Sequence, residues 1–371
     1  MLQALWSLTT ATRADLVAET GLTHPTVSAA LDRLTASGWI MPCGIGSSTG
    51  GRRPHLFRFN PEAALLIGLD VGGTKIAGGL LTLNGRPLAR QVLRTVDGPA
   101  DPFERICQVI DALIAESPPG KPLLGIGLGL PGVTNRSRGT VTLAPALGWR
   151  HFPLGPLLTE RYGVTIQLEN DVNAILLGER WRGAARSTRH ALCVAIGTGI
   201  GAALLMDGRL YRGATEAAGE IGYTVTDRSV LGALPPAPDG FGFLESLTAG
   251  PGIARRGSEA LGRPVTTAEV FEAAHTEPAA AQVLDESAAH LAIALANAIV
   301  LLNPELVLLS GGVMQSPGLL DRMRPILQQL IPTSPVIQPA SLGELAGILG
   351  AASLLLGGDG DRLPPAAEVG P

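Results

Sequence analysis

Apolar residues fall in two rhythms along this chain. From residue 61 onward, short unbroken apolar runs alternate with stretches of helical period, as expected for strands covered on both faces and the helices that cover them. Residues 65–70, 76–83 and 87–95 predict a strand meander, turned at Asn84-Gly85, a dipeptide suited to a tight hairpin. Residues 102–116 have an amphipathic helical period, and Leu123–Leu130 is a strand running into Pro131-Gly132. Residues 166–168 form a short strand that delivers Glu169-Asn170-Asp171, with a helix from about Val172. Residues 189–206 hold another strand and its return. Residues 285–302 form a long Ala/Leu-rich helix ended by Asn303-Pro304, and 306–309 a further strand. The alternation predicts α/β layers. Residues 357–371 are Gly/Pro-rich and polar, which predicts a disordered tail.

The first sixty residues follow a different pattern. Residues 12–21 predict a short helix ended by Gly21, and Thr23 is placed to cap a second one that tolerates Pro25 in its first turn. Val27, Leu31 and Leu34 give that helix one buried stripe, and His24, Thr26 and Ser28 lie on the other side of its start. Small polar residues there can reach phosphates or base edges in a major groove. After Trp39-Ile40 comes a glycine-rich tip with Arg52-Arg53, then the alternating Leu56-Phe57-Arg58-Phe59. Two strands with paired arginines between them make a wing that sets Arg52 and Arg53 on the backbone of double-stranded DNA.

Composition sharpens this division. The 371 residues are 46% hydrophobic and carry a net charge of −4, split between +2 in residues 1–60 and −6 in the rest. A mildly basic head on an acidic body suits a head that meets a polyanion. Cys43, Cys107 and Cys193 have no metal-ligand or redox spacing, which points to a reducing cytoplasm. The start lacks the basic region of a signal peptide, and the apolar stretch 291–302 is too short to span a bilayer, so no membrane partner is expected. Lys75 and Lys121 are the only lysines, so a lysine inside a glycine turn stands out.

Two strands empty into hydroxyl-bearing glycine turns, Asp70-Val71-Gly72-Gly73-Thr74-Lys75 and Gly197-Thr198-Gly199-Ile200-Gly201. A third ends in Ser310-Gly311-Gly312. Facing turns of this kind can cradle phosphates with backbone N–H groups, because glycine allows close approach. Lys75 would add a point charge, Asp70 would orient Mg²⁺, and Gly311 and Gly312 would leave room for an adenosine: together a Mg-ATP site. Asp171, at a strand-to-helix junction, is either a plain N-cap or an ionised general base, with Asn170 bonding neighbouring hydroxyls.

These motifs resemble the ROK family of repressors, open reading frames and sugar kinases. Residues 70–75, Leu130-Pro131-Gly132-Val133, 144–149, Glu169-Asn170-Asp171-Val172-Asn173-Ala174, 197–201, Gly219-Glu220-Ile221-Gly222-Tyr223 and 303–312 match in family order. The head, with its Ser-Thr-Gly-Gly-Arg-Arg-Pro wing, is similar to that of ROK repressors. The resemblance implies a two-lobed actin-like (ribonuclease H-like) α/β body behind a winged helix–turn–helix. The domains would be a head over 1–60, a small lobe over 61–171 with a return at about 345–356, and a large, oligomerising lobe over 172–344. It implies Asp171 as base and Gly132, Glu220 and Glu245 as completing a sugar pocket. It also implies a homodimer or homotetramer on a palindromic operator.

Three departures stand out. Tyr223 replaces the family's zinc-binding, sugar-contacting histidine, the downstream cysteine cluster is missing, and Ala146 replaces a sugar-contacting asparagine. No structural zinc is therefore expected, and Tyr223 and Phe243 would pack in its place. The expected function is a transcriptional regulator that senses a sugar or sugar phosphate. The alternative is an ATP-dependent hexose kinase with an accessory head.

Overall fold

The sequence folds into a head and a two-lobed body. The computed structural model describes residues 1–46, 53–95, 101–228 and 242–357; Arg52 and the predicted tail lie outside them. The head runs α1 (Leu2–Leu8), β1 (Thr10–Ala11), α2 (Arg13–Thr20), α3 (His24–Ala36), β2 (Ile40–Ile45) and β3 (His55–Phe59). Thr12 and Asp15 cap each other at the start of α2, and Gly21 ends it in the left-handed conformation. Val27 and Leu31 are fully buried with Leu5, Leu16 and Phe57, and Leu34 packs at the edge of that core. The sequence reading missed α1, a seven-residue helix with no side-chain cap at its start.

In the body, β4 (Leu65–Val71), β5 (Lys75–Thr82), β6 (Pro87–Arg94), α4 (Pro102–Ala115) and β7 (Leu123–Leu130) come first. A small antiparallel sheet follows, β8 (Val133–Asn135), β9 (Thr140–Ala144) and β10 (Trp149–Phe152), then α5 (Leu154–Tyr162), β11 (Thr165–Asn170) and α6 (Asp171–Arg182). The small sheet was not predicted, because strands this short carry too little periodicity. The second half runs β12 (Ala191–Ile196), β13 (Ile200–Met206), β14 (Arg209–Tyr211), α7 (Phe243–Thr248), α8 (Gly250–Leu261), α9 (Thr267–Ala273), α10 (Pro278–Leu302), β15 (Leu306–Ser310), α11 (Leu319–Leu330), β16 (Val336–Pro339) and α12 (Leu345–Ser353).

The two large sheets share one topology. The first has order β11-β7-β4-β5-β6 and the second β16-β15-β12-β13-β14, each an antiparallel meander with two parallel strands beside it. The unbroken apolar run of β4 follows from cover on both faces. Leu65, Ile67, Leu69 and Val71 meet Ile106, Ile110 and Leu113 of α4, and Leu66 meets Ile348 and Ala352 of α12. In the second sheet Leu192, Val194 and Ile196 face α10, and Cys193 faces Leu176 and Leu177 of α6.

α10 begins seven residues earlier than expected. Its 25 residues are long and apolar enough to cross a membrane, so the argument from the length of 291–302 fails. What identifies it is its buried face, which packs on the second sheet as a core helix.

α6 and α12 follow equivalent strands, β11 and β16, and lie against each other between the sheets. A Cβ on Gly178 would sit 2.1 Å from Ala346 O, and one on Gly350 would sit 1.6 Å from Ala174 O. The contact is therefore backbone on backbone. Glu179, fully buried on α6, accepts hydrogen bonds from Ala184 N, Ser341 Oγ and Leu342 N, tying the end of α6 to the chain entering α12.

Candidate functional site

The cleft between the lobes gathers carboxylates. Asp171 is the first residue of α6. Asn170 is the N-cap, and its Oδ1 accepts from Val172 N (2.9 Å) and Asn173 N (3.1 Å). Asn170 Nδ2 donates to Gly132 O, so both ends of this side chain are engaged within the protein. Asp171 Oδ1 shares the Val172 N–H, accepting from it at 2.9 Å. Its carboxyl is pushed up to about 7, first by burial, then by Asp70 and Glu220, against the opposing pull of Val172 N–H. Burial and its acidic neighbours thus favour the protonated carboxyl, against the expectation that it stays ionised. Gly132 lies in the left-handed region (φ 83°), and a Cβ there would strike Leu143 O at 2.1 Å, so the turn below Asp171 requires glycine.

Asp70, at the end of β4, is pushed up to about 6 by burial and Glu344, with Lys75 opposing. The glycine turn beyond it is partly closed on itself. Gly72 N–H donates to Lys75 O, and Gly72 O accepts from Thr95 Oγ1. Lys75 Nζ donates to Glu344 Oε1 at 2.6 Å, and Arg90 bonds the same carboxylate. Lys75 is therefore engaged at the start of α12. Gly73 and exposed Thr74 form the tip, with Ala146 close enough that a Cβ on Gly73 would lie 3.1 Å from its methyl.

The second turn is similarly divided. Gly197 N–H donates to Gly199 O, while Thr198 is exposed at the tip. Gly201 is paired in the sheet, and a Cβ there would meet Val172 at 2.8 Å, so its role is packing against α6. Gly311 (φ 92°) passes over Ile196 O, and Gly312 opens to solvent.

Glu245 was expected in a sugar pocket. Its Oε1 accepts from Ile200 N at 2.9 Å and its Oε2 from Gly242 N at 3.2 Å, so it fastens the second glycine turn to the start of α7. Glu220 is exposed, and burial of its carboxyl and the Glu245 charge both raise its pKa. Tyr223 remains 44% exposed, and Phe243 packs edge-on against His290. Thr226 Oγ1 lies 2.7 Å from His290 Nδ1, so α10 anchors the segment after Tyr223. Part of the segment where the family's cysteines would fall lies outside the described residues. Among the described residues no three His, Cys, Asp or Glu side chains are placed to hold a metal ion.

Sequence reasoning missed Glu169. It is 1% exposed and accepts from Arg212 Nε (2.8 Å) and Asn173 Nδ2 (3.0 Å), with Arg136 Nε at 3.7 Å. Arg212 follows β14 and Arg136 follows β8, so this carboxylate joins the two lobes one residue behind Asn170. Its strand, Thr165–Asn170, is itself largely polar, so nothing local marked this carboxylate as a buried one that needs partners.

On the head, His24 and Thr26 are exposed at the start of α3, and Ser28 is half-buried. Arg53 is exposed at the described edge of the wing. Arg13 lies over the Phe57 ring, joining α2 to β3.

The family model described as "ROK family" matches residues 66–357. The xylose repressor of Caldicellulosiruptor bescii is 33% identical over 208 residues, 55% of this chain and 52% of that one. The chain thus spans about half the length of that relative. The xylose repressor of Bacillus subtilis is 28% identical over 352 residues, covering 93% of this chain and 90% of its own. Among solved structures, a Streptomyces griseus ROK glucokinase in complex with glucose and AMPPNP is 28% identical, with TM-score 0.67. It is covered over 99% of its length by 78% of this chain. A ROK family transcriptional regulator, a homolog of the E. coli MLC protein, shares the fold over 95% of this chain and 94% of its own, with TM-score 0.76 at 20% identity.

Proposed function

Because the chain belongs to the ROK family, we propose that it is a transcriptional regulator. It acts as a repressor that binds an operator through the winged head and senses a sugar or sugar phosphate between the lobes. The observation that carries this reading is one of extent. The glucokinase is matched almost end to end by 78% of this chain, whereas the Bacillus subtilis repressor aligns over 93% of it. The part beyond the kinase is the head, whose exposed helix start and wing suit DNA.

In this reading α3 enters the major groove with His24, Thr26 and Ser28 at its leading end. Arg52 and Arg53 neutralise phosphates. Asp171 and Glu220 supply acceptors for sugar hydroxyls, each of which both donates and accepts. Sugar between the lobes changes their angle, and with it the spacing of two heads on a palindromic operator, in a homodimer or homotetramer working in the cytoplasm.

The test is retention of a DNA fragment from the chain's own upstream region, with and without D-xylose or D-glucose. Binding that steepens as salt falls, and that changes at least about fivefold with one sugar, supports the reading. Sugar binding by thermal shift with no DNA binding at any salt overturns it. Arg52→Ala with Arg53→Ala should weaken every fragment alike and lower the salt slope by about two.

A second reading, a hexose kinase, is favoured by one observation: a carboxyl near pKa 7 is tuned for accepting a proton at neutral pH. The fit to Mg-ATP is partial. Asp70, Gly73, Thr74, Thr198, Gly199 and Gly312 would face the nucleotide, but Lys75 is held by Glu344 and the Gly72 amide by its own hairpin. When bound, the nucleotide would supply the phosphoryl group. Asp171 would orient the accepting hydroxyl and take its proton. Sugar-dependent ATP turnover that Asp171→Asn abolishes would establish this reading.

A further inference from the structure

We propose that α6 is a strut that carries lobe closure from Asp171 to the DNA-binding head, through the apolar cluster that Trp181 shares with Trp6 and Phe59. The inference rests on the regulatory reading and adds the route by which sugar reaches DNA.

α6 runs from Asp171 in the cleft to Trp181 and Arg182 at the far side of the body. At Gly178 and Gly350 the helices touch backbone to backbone, so no side chain at these two points can change rotamer and absorb a displacement. Glu179 locks the far end of the pair to residues 341–342. A shift of α6 at this crossing is therefore felt directly by α12.

At the far end the strut meets the head. Trp181 is 2% exposed and packs in one apolar cluster with Leu81, Leu349, Trp6, Trp39 and Phe59. Trp6 and Phe59 stack with centroids 4.3 Å apart, and Trp39 lies 6.4 Å from Phe59. Arg182 covers the Trp181 ring and bonds Asn84 O in the β5–β6 hairpin. The connection from head to body is itself tied down. Asn60 Nδ2 donates to Gly38 O, Leu83 N to Pro61 O, and Lys121 Nζ to Glu62 O. A head fastened in this way stays with the first lobe, so a shift of α6 changes how Trp181 packs in the shared cluster. Trp6 and Phe59 join the head to the body, and Trp39 sits beside them at the start of the wing.

Three of the chain's four tryptophans meet at this junction, which supplies the readout. In Trp149→Phe protein, every remaining indole reports on it. Titration with D-xylose or D-glucose should shift tryptophan emission with the same midpoint as the thermal shift. A sugar that stabilises the protein and leaves emission unchanged overturns the strut. The second measurement is the effect of sugar on retention of the upstream DNA fragment. In Trp6→Leu, the sugar midpoint and the sugar-free DNA affinity should stay within about twofold, while a sugar effect of about tenfold in the parent falls below about twofold. An undiminished sugar effect in that variant overturns the proposal. Parent protein that binds no DNA fragment overturns the regulatory reading instead, and the emission titration still decides the strut.

Discussion

Asp171 opens α6 and Glu344 caps α12, and these helices leave matching strands of two sheets with the same topology. Their surroundings pull the two carboxylates in opposite directions. Asp171 is withdrawn from water beside Asp70 and Glu220 and is pushed up to about 7. Glu344 lies between Lys75 and Arg90 and is held down to about 2. The backbone duplicates a helix start in each lobe, but the side chains leave the carboxylate of one among like charges and make the other a clasp. The duplication supplies the scaffold of a cleft and leaves it one-sided.

The strongest test of the equivalence is at the crossing of the two helices. Gly178→Val and Gly350→Val each force a side chain into the partner's backbone, and each should cost about 3 kcal/mol or more in urea unfolding. The two losses should agree within about 1 kcal/mol if the crossing is symmetric. Gly312→Ala, where a Cβ meets nothing within 4 Å, should stay within about 0.5 kcal/mol of the parent. A large difference between the two valine variants would break the pairing of the lobes.

The next test is of pH. The folded state raises the Asp171 pKa above its ordinary value, so the protein holds a proton there that the unfolded chain has released. This group's stabilising contribution is complete below pH 4 and is lost as pH rises through about 7. Asp171→Asn removes that loss. Its melting temperature should match the parent near pH 4 and exceed it by several degrees at pH 8. A constant difference across this range would show that Asp171 is not held out of water. The same variant should bind D-xylose or D-glucose more weakly at pH 8, which separates ligand binding from stability.

Much of this was legible in the sequence. The strands 65–70, 123–130 and 306–309, the turn at Asn84-Gly85 and the two helices of the head follow from local pattern. Burial on both faces makes apolar runs, and tight turns select Asn and Gly. The residues proposed for the site could be named as candidates too, because the glycine turns and Glu-Asn-Asp are contiguous in the chain. Their engagement was not. That Lys75 reaches Glu344, 269 residues away, depends on the return of α12 to the first lobe, and nothing local to Lys75 signals it. The same holds for Glu169 with Arg212 and for Glu245 with Ile200 N. Asn170 outcompetes Asp171 as the cap by one position, a choice made only when β11 fixes where the strand ends.

The smallest expected effect concerns the clasp itself. Glu344 has a depressed pKa, so its stabilising contribution is present above about pH 4.5 and is lost as pH falls towards 2. Both Lys75 and Glu344 side chains are 47% exposed, so Glu344→Gln should cost only about 0.5 kcal/mol at pH 7, and raised salt should erase most of it. The consequence for the cleft is more informative than the stability. Glu344 raises the Asp70 pKa and Lys75 lowers it. Removing the Glu344 charge takes away the first effect and frees Lys75 to strengthen the second, so Asp70 should titrate below about 6. An Asp70 that ionises earlier repels the charge on Asp171 over more of the pH range, so Asp171 should move above about 7. Carboxyl-carbon NMR titrations of the parent and Glu344→Gln would resolve both movements. Opposite shifts at Asp70 and Asp171 would show that the clasp on one helix sets the proton affinity at the start of the other. Two unmoved titrations would mean that the lobes, however alike, hold their charges independently.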